Sequence, residues 1–151
     1  MAAYKSLVRP HLEYCSTVWD PPTKFLKNKL ESVQGRSARW VFNKYRTGPN
    51  TTRQATLCEL LDWPLLETRR RVARLCLLYK MANDLVLMST LSLLVRYSYT
   101  TKAMPPHAFL PLDRAPSKLY FSSSFFPHTV TEWNALPHSV GCATSLEAFK
   151  T

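Results

Sequence analysis

The chain has 151 residues, which is enough for one modest domain with its own core. Hydrophobic residues make up 46% of it and aromatic residues 12%, a composition that argues against a disordered chain. The net charge is +10, and residues 24–80 alone carry +9, so the excess of basic residues is concentrated in one segment, as is typical of proteins that bind polyanions.

Three glycines and eleven prolines predict helices that are interrupted by prolines. Residues 2–19 place apolar side chains at helical spacing, and Pro10 within them predicts a kink or break near Arg9. Asp20 and the two prolines after it predict an N-cap followed by a proline at the first helical position. A second helix is therefore expected over residues 22–44.

The middle of the chain is divided by a turn signal. Gly48-Pro49-Asn50 predicts a loop over residues 45–52. A short helix is expected over residues 53–61, and a longer one over residues 65–87, where the spacing of leucine, valine and tyrosine is helical. The second half of this longer helix is apolar almost all round, which predicts deep burial.

The last third of the chain is less regular. Residues 96–124 are rich in proline, serine and threonine and predict a loop or linker. Residues 125–136 predict a short helix, and Thr144 with Glu147 forms a capping-box pattern for a last helical turn. We therefore expect an all-α fold with about four main helices, an irregular C-terminal third and short terminal helices. The expected division is a helical domain over 1–95, a linker over 96–124 and a C-terminal extension over 125–151.

Patterns that carry catalysis or bind metals are sparse. The few glycines are scattered, so a glycine-rich phosphate loop is excluded, and neither a catalytic triad nor a carboxylate pair is evident. His11 and Cys15 are four residues apart, a spacing that can bind a metal, but an ordinary amphipathic helix face is the preferred interpretation. The other three histidines lack cysteines at zinc-knuckle spacing; they are His107, His128 and His138. We expect no catalytic residues, no metal site and no cofactor.

The cysteines and the apolar runs indicate the compartment. The four cysteines have irregular spacings without a CxxC pair, which predicts free thiols in a reducing environment. The N-terminus has no signal-peptide pattern, and the longest charge-free apolar stretch, residues 85–95, is too short to cross a bilayer. We expect an intracellular protein, nuclear or cytoplasmic, without a membrane partner.

The basic residues are the strongest functional signal. Lysine and arginine on helices neutralise phosphates with little sequence preference, although the same residues can also form a merely solvated helix face. Trp40 lies beside two arginines, where it can stack on a base, but we expect it in the core. The predicted nucleic-acid-binding residues are Lys24, Lys27, Arg36, Arg39, Lys44, Arg69, Arg70, Arg71 and Arg74.

Several segments, in order, carry a family resemblance. They are YKSLVRPHLEYC (4–15), VWDP (18–21), KLESVQ (29–34), LLDWPLLETRRR (60–71), ARLCLLYKMAN (73–83), SFFPHTVTEWNALP (124–137) and SLEAFK (145–150). This combination resembles the reverse transcriptases of non-LTR retrotransposons of the jockey-like branch, in the region that follows the polymerase palm. The chain departs from that pattern at Gly35 and His128, where the family usually has basic residues.

The resemblance implies a helical thumb and its extension, which grip the template–primer duplex. The family's catalytic aspartates belong to the palm, and this chain has no Asp-Asp pair. The resemblance therefore implies a non-catalytic fragment that binds RNA or DNA through backbone phosphates. The alternatives are a helical protein-interaction module, which would bind a palm or a second copy of the chain, and an inert retroelement remnant; an enzyme with a hidden site ranks third.

Overall fold

The computed structural model describes residues 2–43, 54–86, 94–96, 106–110, 121 and 123–150. Within them the chain is mostly helical, which confirms the all-α prediction, and Arg96 and Phe109 form an isolated antiparallel bridge. The α-helices, in chain order, are α1 Arg9–Glu13, α2 Ser16–Trp19, α3 Lys24–Val41, α4 Gln54–Leu60, α5 Leu66–Ala82, α6 Phe125–Asn134, α7 His138–Gly141 and α8 Leu146–Lys150. The predicted loop over residues 45–52 and most of the predicted linker lie outside the described residues.

The N-terminal segment accommodates Pro10 by widening its helix. Tyr4–Val8 form a π-helical turn, in which the Arg9 N–H donates to the carbonyl of Tyr4, five residues earlier. Proline lacks an N–H and its ring crowds the carbonyl four residues before it, so a wider turn gives the ring room. The helix is thus irregular next to Arg9, where the sequence predicts a kink or break, and the chain is interrupted a second time at Cys15, which has a left-handed backbone (φ 50°). Residues 4–19 therefore form three short segments.

Helix α3 begins later than predicted because Asp20 does not cap it. Thr23 occupies the N-cap without a capping side-chain hydrogen bond, whereas the Asp20 carboxylate pairs with Arg70. The helix then continues for 18 residues. Ala38 lies on its buried side and belongs to the same core cluster as Leu57 of α4, so these two helices pack together.

Asparagine and aspartate occupy the left-handed positions at three helix ends. Asn43, Asp62 and Asp84 have φ between 51° and 55°, a region that these residue types enter more readily than other non-glycine residues. After α4, the Trp63 N–H donates to the carbonyl of Cys58 at 2.8 Å. In a Schellman motif this is the bond that links the first and the sixth residue. A corresponding ending around Asp84 stops α5 at Ala82, before the predicted end at residue 87.

The chain divides into two compact units, Met1–Arg71 and Val72–Thr151. The second half of α5 contributes to the core of the second unit, where Leu78 and Tyr79 are buried with residues of α6 and α8. The division into a helical domain over 1–95, a linker and a C-terminal extension stays a prediction.

The core of the first unit is organised around Tyr4. Its ring stacks on Trp63 with centroids 4.1 Å apart, and its hydroxyl donates to Gln34 Oε1 at 2.8 Å. Gln34 Nε2 in turn donates to the carbonyl of Pro64 at 3.1 Å. Burial raises the pKa of Tyr4 to about 12, so the phenol remains a neutral donor in this network at physiological pH. The network joins the N-terminal segment, α3 and the turn before α5.

The core of the second unit is aromatic. Trp133 of α6 stacks on Phe149 of α8 with centroids 5.5 Å apart, and Tyr79 of α5 stacks on the same phenylalanine. Asn134 holds an adjacent segment by both halves of its amide: Oδ1 accepts from the Phe109 N–H at 3.0 Å, and Nδ2 donates to the Phe109 carbonyl at 2.8 Å. The side-chain amide thus makes the two backbone hydrogen bonds that a paired β-strand would otherwise make, and it holds residues 106–110 against α6.

The two predicted C-terminal helices are present with adjusted ends. Helix α6 lies within the predicted range 125–136. Helix α8 is capped one residue later than predicted, because Ser145 Oγ, and not Thr144, accepts the Ala148 N–H at 3.2 Å.

Replacement of Asn134 by alanine tests the amide clamp. Asn134→Ala removes two hydrogen bonds, each worth about 0.5–1.5 kcal/mol net, so we expect the free energy of unfolding to fall by about 1–3 kcal/mol. Urea unfolding followed by circular dichroism measures the change. Asn28→Ala, on the exposed side of α3, is the control and should change stability by about 0.5 kcal/mol or less. Equal losses in the two variants would contradict the clamp.

Candidate nucleic-acid interface

Two of the predicted phosphate-binding arginines on α5 are buried. Arg70 is 1% exposed and its Nε donates to Asp20 Oδ1 at 2.7 Å. Arg74 is 3% exposed and its Nη2 donates to Glu132 Oε2 at 2.9 Å. A buried guanidinium requires an acidic partner because the desolvation of a lone charge is costly. These two arginines therefore stabilise the interiors of their own units and are not available to bind phosphates at the surface.

Two further predicted residues form ion pairs nearer the surface. Arg69 forks onto both carboxylate oxygens of Glu13, with Nη2 at 3.0 Å from Oε2, and Arg9 reaches the same carboxylate at 3.1 Å. Burial raises the pKa of Glu13, but Arg69 and Arg9 together lower it by more, so its net pKa lies below the usual value. Lys27 Nζ lies 2.7 Å from Glu67. Partly exposed pairs of this kind are weak and can exchange partners.

The remaining predicted residues differ in exposure. Lys24 and Arg36 of α3 are exposed, Arg39 is half-buried, and Arg71 of α5 is exposed. Lys44 lies outside the described residues. The basic surface is therefore carried mainly by α3, and the four arginines of α5 do not form one continuous patch.

The outer side of α3 carries an aromatic–basic stripe formed by Phe25, Lys29, Arg36 and Trp40. These residues are separated by four, seven and four positions, which places them on one side of an α-helix. All four are exposed, Phe25 by 66% and Trp40 by 55%. Lys29 Nζ lies 4.6 Å from the centroid of the Phe25 ring, a cation–π contact.

The expectation that Trp40 belongs to the core is wrong. Ala38 faces the core, and two further residues along an α-helix rotate the next side chain by about 200°. Trp40 therefore points away from the core into solvent. Lys29 and Phe25 were not predicted as site residues, although their helical spacing from Arg36 and Trp40 is visible in the sequence.

Trp40 and Arg36 border an open groove beside the stripe. The groove has a volume of about 370 Å³, and its other lining residues are Ala3, Tyr4, Leu7, Val8 and Ser37. Apart from the arginine and the serine, the lining is largely apolar. A flat or apolar group, such as a nucleobase or an aliphatic side chain, fits these surroundings, and the guanidinium at the edge suits a phosphate or carboxylate.

No family model, curated protein or solved structure matches this chain. Within the described residues, no helix combines the length and apolar character needed to cross a membrane.

The buried pair of Arg70 and Asp20 gives a test of the arrangement on α5. Asp20→Ala leaves the guanidinium buried without its acid, so we expect the free energy of unfolding to fall by about 3–5 kcal/mol. Urea unfolding measures the loss, and addition of Arg70→Met to the same variant should restore much of it. Glu147→Ala, which disrupts an exposed pair with Lys150, is the control and should cost less than about 1 kcal/mol. A loss no larger than that of the control would argue against a buried pair.

Proposed function

We propose that this chain binds nucleic acid without catalysing a reaction, through the aromatic–basic stripe of α3. The observation that carries the proposal is the presence of two exposed basic side chains between two exposed aromatic rings on one helix face, an arrangement that can contact bases and phosphates together. The resemblance to the thumb of non-LTR reverse transcriptases supports the same class of ligand. On this proposal the chain is a fragment of such a polymerase that grips template and primer.

The stripe has a suitable length for this role. From residue 25 to residue 40 it extends about 22 Å along the helix. Measured along the axis of B-form DNA, where each strand carries one phosphate per about 3.4 Å, this length corresponds to about six phosphates of one strand. Lys29 and Arg36, with Lys24 one turn before, can neutralise phosphates, while Phe25 and Trp40 offer flat surfaces on which bases stack. Because phosphates and π-faces are common to all sequences, little sequence preference is expected.

A triple substitution tests the electrostatic part of the proposal. Lys24→Gln, Lys29→Gln and Arg36→Gln together remove up to three phosphate contacts, each of which contributes about −0.9 to the slope of log affinity against log salt. We expect the slope to become shallower by about 2–3 and the affinity to fall alike for all sequences. Fluorescence anisotropy with labelled duplex DNA, DNA–RNA hybrid and single strands, at several salt concentrations, measures both.

The control removes the same charge elsewhere. Lys5→Gln, Arg96→Gln and Lys150→Gln replace three exposed basic residues that lie outside the stripe. The proposal requires a larger change of slope for the stripe variant than for this control. In addition, Trp40→Ala should weaken single-strand binding by about 1–3 kcal/mol. Identical slopes in the two triple variants, or no binding at low salt by a folded sample, would exclude the stripe as the binding surface.

A second candidate function, protein association, is favoured by the apolar surface of the first unit. Leu7, Tyr14 and Val18 of the N-terminal segment are exposed, and Leu7 also lines the groove. Exposed apolar side chains clustered in one region are typical of association surfaces. A polymerase palm or a second copy of the chain is the partner that the resemblance suggests.

Sedimentation distinguishes this second candidate. If the apolar surface drives association, the chain should form dimers or larger species at tens of micromolar (about 6–7 kcal/mol of association free energy). Tyr14→Ser combined with Val18→Ser, which replaces two exposed side chains outside the groove without a change of charge, should return it to the monomer and leave the salt slope of nucleic-acid binding unchanged. A compact monomer for the unsubstituted chain would count against self-association.

A further inference from the structure

Two histidines and a cysteine meet in the second unit. His138 begins α7 and Cys142 follows its last residue, so their side chains lie one turn apart, with Cys142 Sγ 3.4 Å from His138 Nδ1. His107 comes from the segment that Asn134 holds against α6. The three potential ligand atoms all lie within 4.8 Å of one another. No other His, Cys, Asp or Glu triplet in the described part of the chain comes as close.

The ring of His107 is buried without a well-formed hydrogen bond. The residue is 5% exposed, and among the described residues neither ring nitrogen makes a hydrogen bond of normal geometry, although backbone groups of Trp133 and Leu136 lie near the ring. Buried side-chain nitrogens are almost always hydrogen-bonded, so an imidazole in this state needs an explanation. A bound ion is one, because a neutral imidazole nitrogen is among the commonest metal ligands in proteins.

The surroundings of His107 hold it in place beside α7. The indole Nε1 of Trp133 donates to the His107 carbonyl at 2.9 Å. On the opposite side, the ring lies against Gly141 so closely that a Cβ at that position would stand 2.4 Å from ring atoms. Only glycine leaves room for the ring here. The imidazole is thus positioned by packing, by its own backbone and by the absence of a side chain on α7.

We propose that His107, His138 and Cys142 bind a zinc ion through two imidazole nitrogens and one thiolate. In tetrahedral zinc sites the metal–ligand distances of about 2.0–2.3 Å place neighbouring ligand atoms about 3.3–3.6 Å apart. The His138–Cys142 separation of 3.4 Å already has this value. The other separations are at most 4.8 Å, and rotations of the exposed His138 and Cys142 side chains toward the fixed His107 ring would shorten them to the same spacing. On binding, the Cys142 thiol releases its proton to solvent and zinc keeps its charge. A water molecule completes the fourth position.

The sequence offers a matched control for this site. His11 and Cys15 have the same four-residue spacing as His138 and Cys142, and all four residues are exposed, although the chain leaves the helix between His11 and Cys15. What the first pair lacks, within the described residues, is a third ligand near it. A metal bound merely by any nearby His–Cys pair would use both pairs alike, whereas the proposed site uses only the second.

Titration of the full chain with zinc, in competition with a fluorescent zinc chelator, tests the proposal. The unsubstituted chain should bind one equivalent. His138→Asn combined with Cys142→Ser should weaken binding by more than the roughly 10–100-fold that loss of an outer-sphere partner costs. His11→Asn combined with Cys15→Ser should leave affinity unchanged. Both pairs are exposed, so these substitutions leave the core intact, and circular dichroism checks that each variant is folded.

Cobalt substitution identifies the ligands directly. Co²⁺ in the unsubstituted chain should show a thiolate-to-metal charge-transfer band that Cys142→Ser removes and Cys15→Ser retains. His107→Gln should weaken zinc binding in a sample that remains folded. Absence of stoichiometric zinc binding, or equal weakening in the two double variants, would overturn the assignment.

Discussion

A guanidinium group can be buried only when an acid neutralises it, and this requirement organises both units of the chain. In the first unit the buried Arg70 connects α5 to Asp20, in the stretch between α2 and α3, while the partly exposed Arg69 pairs with Glu13 of α1. In the second unit the buried Arg74 connects α5 to Glu132 of α6. The short N-terminal helices, which could not persist alone, are held partly by these contacts.

The same pairing changes how the positive charge is interpreted. A net charge of +9 over residues 24–80 indicates a polyanion-binding segment, but the charge count does not show which bases reach solvent. The run on α5 is partly internal, whereas α3 carries exposed bases beside exposed aromatic rings. The functional proposal therefore depends on the exposed side chains of one helix face and not on the count of charges.

The helices were predictable because their signals are local. The periodicity of apolar residues predicts the positions of α3, α4, α5 and α6. The cap of α8 is Ser145, one residue after the predicted Thr144, so the sequence signal for the start of this helix is accurate to one residue. The partners of Asp20 and Arg70 were not predictable, since they lie 50 positions apart in the sequence. Tryptophan is usually buried, which favours a core position for Trp40. Its position on α3 relative to the buried Ala38 nevertheless places its side chain in solvent.

The histidine–cysteine cluster shows the same limit. The spacing of His138 and Cys142 is visible in the sequence, but it is no stronger than that of His11 and Cys15. The difference arises from His107, which lies 31 positions before His138 and is brought to the site by the Asn134 amide and the space at Gly141. A ligand set of this kind is assembled by tertiary contacts, so a search for short motifs does not detect it.

The left-handed residues at the helix ends have a consequence for how the fold responds to change. The bonds that close α4 and α5 are made by nearby backbone groups, and each ending depends on one aspartate that tolerates positive φ. The lengths of these helices are thus specified at their own ends. A core substitution, or transfer of a helix into another scaffold, would loosen packing before it moved the point at which the helix stops. The residues that terminate these helices are thus different from the residues that pack the core, and the two sets can vary independently.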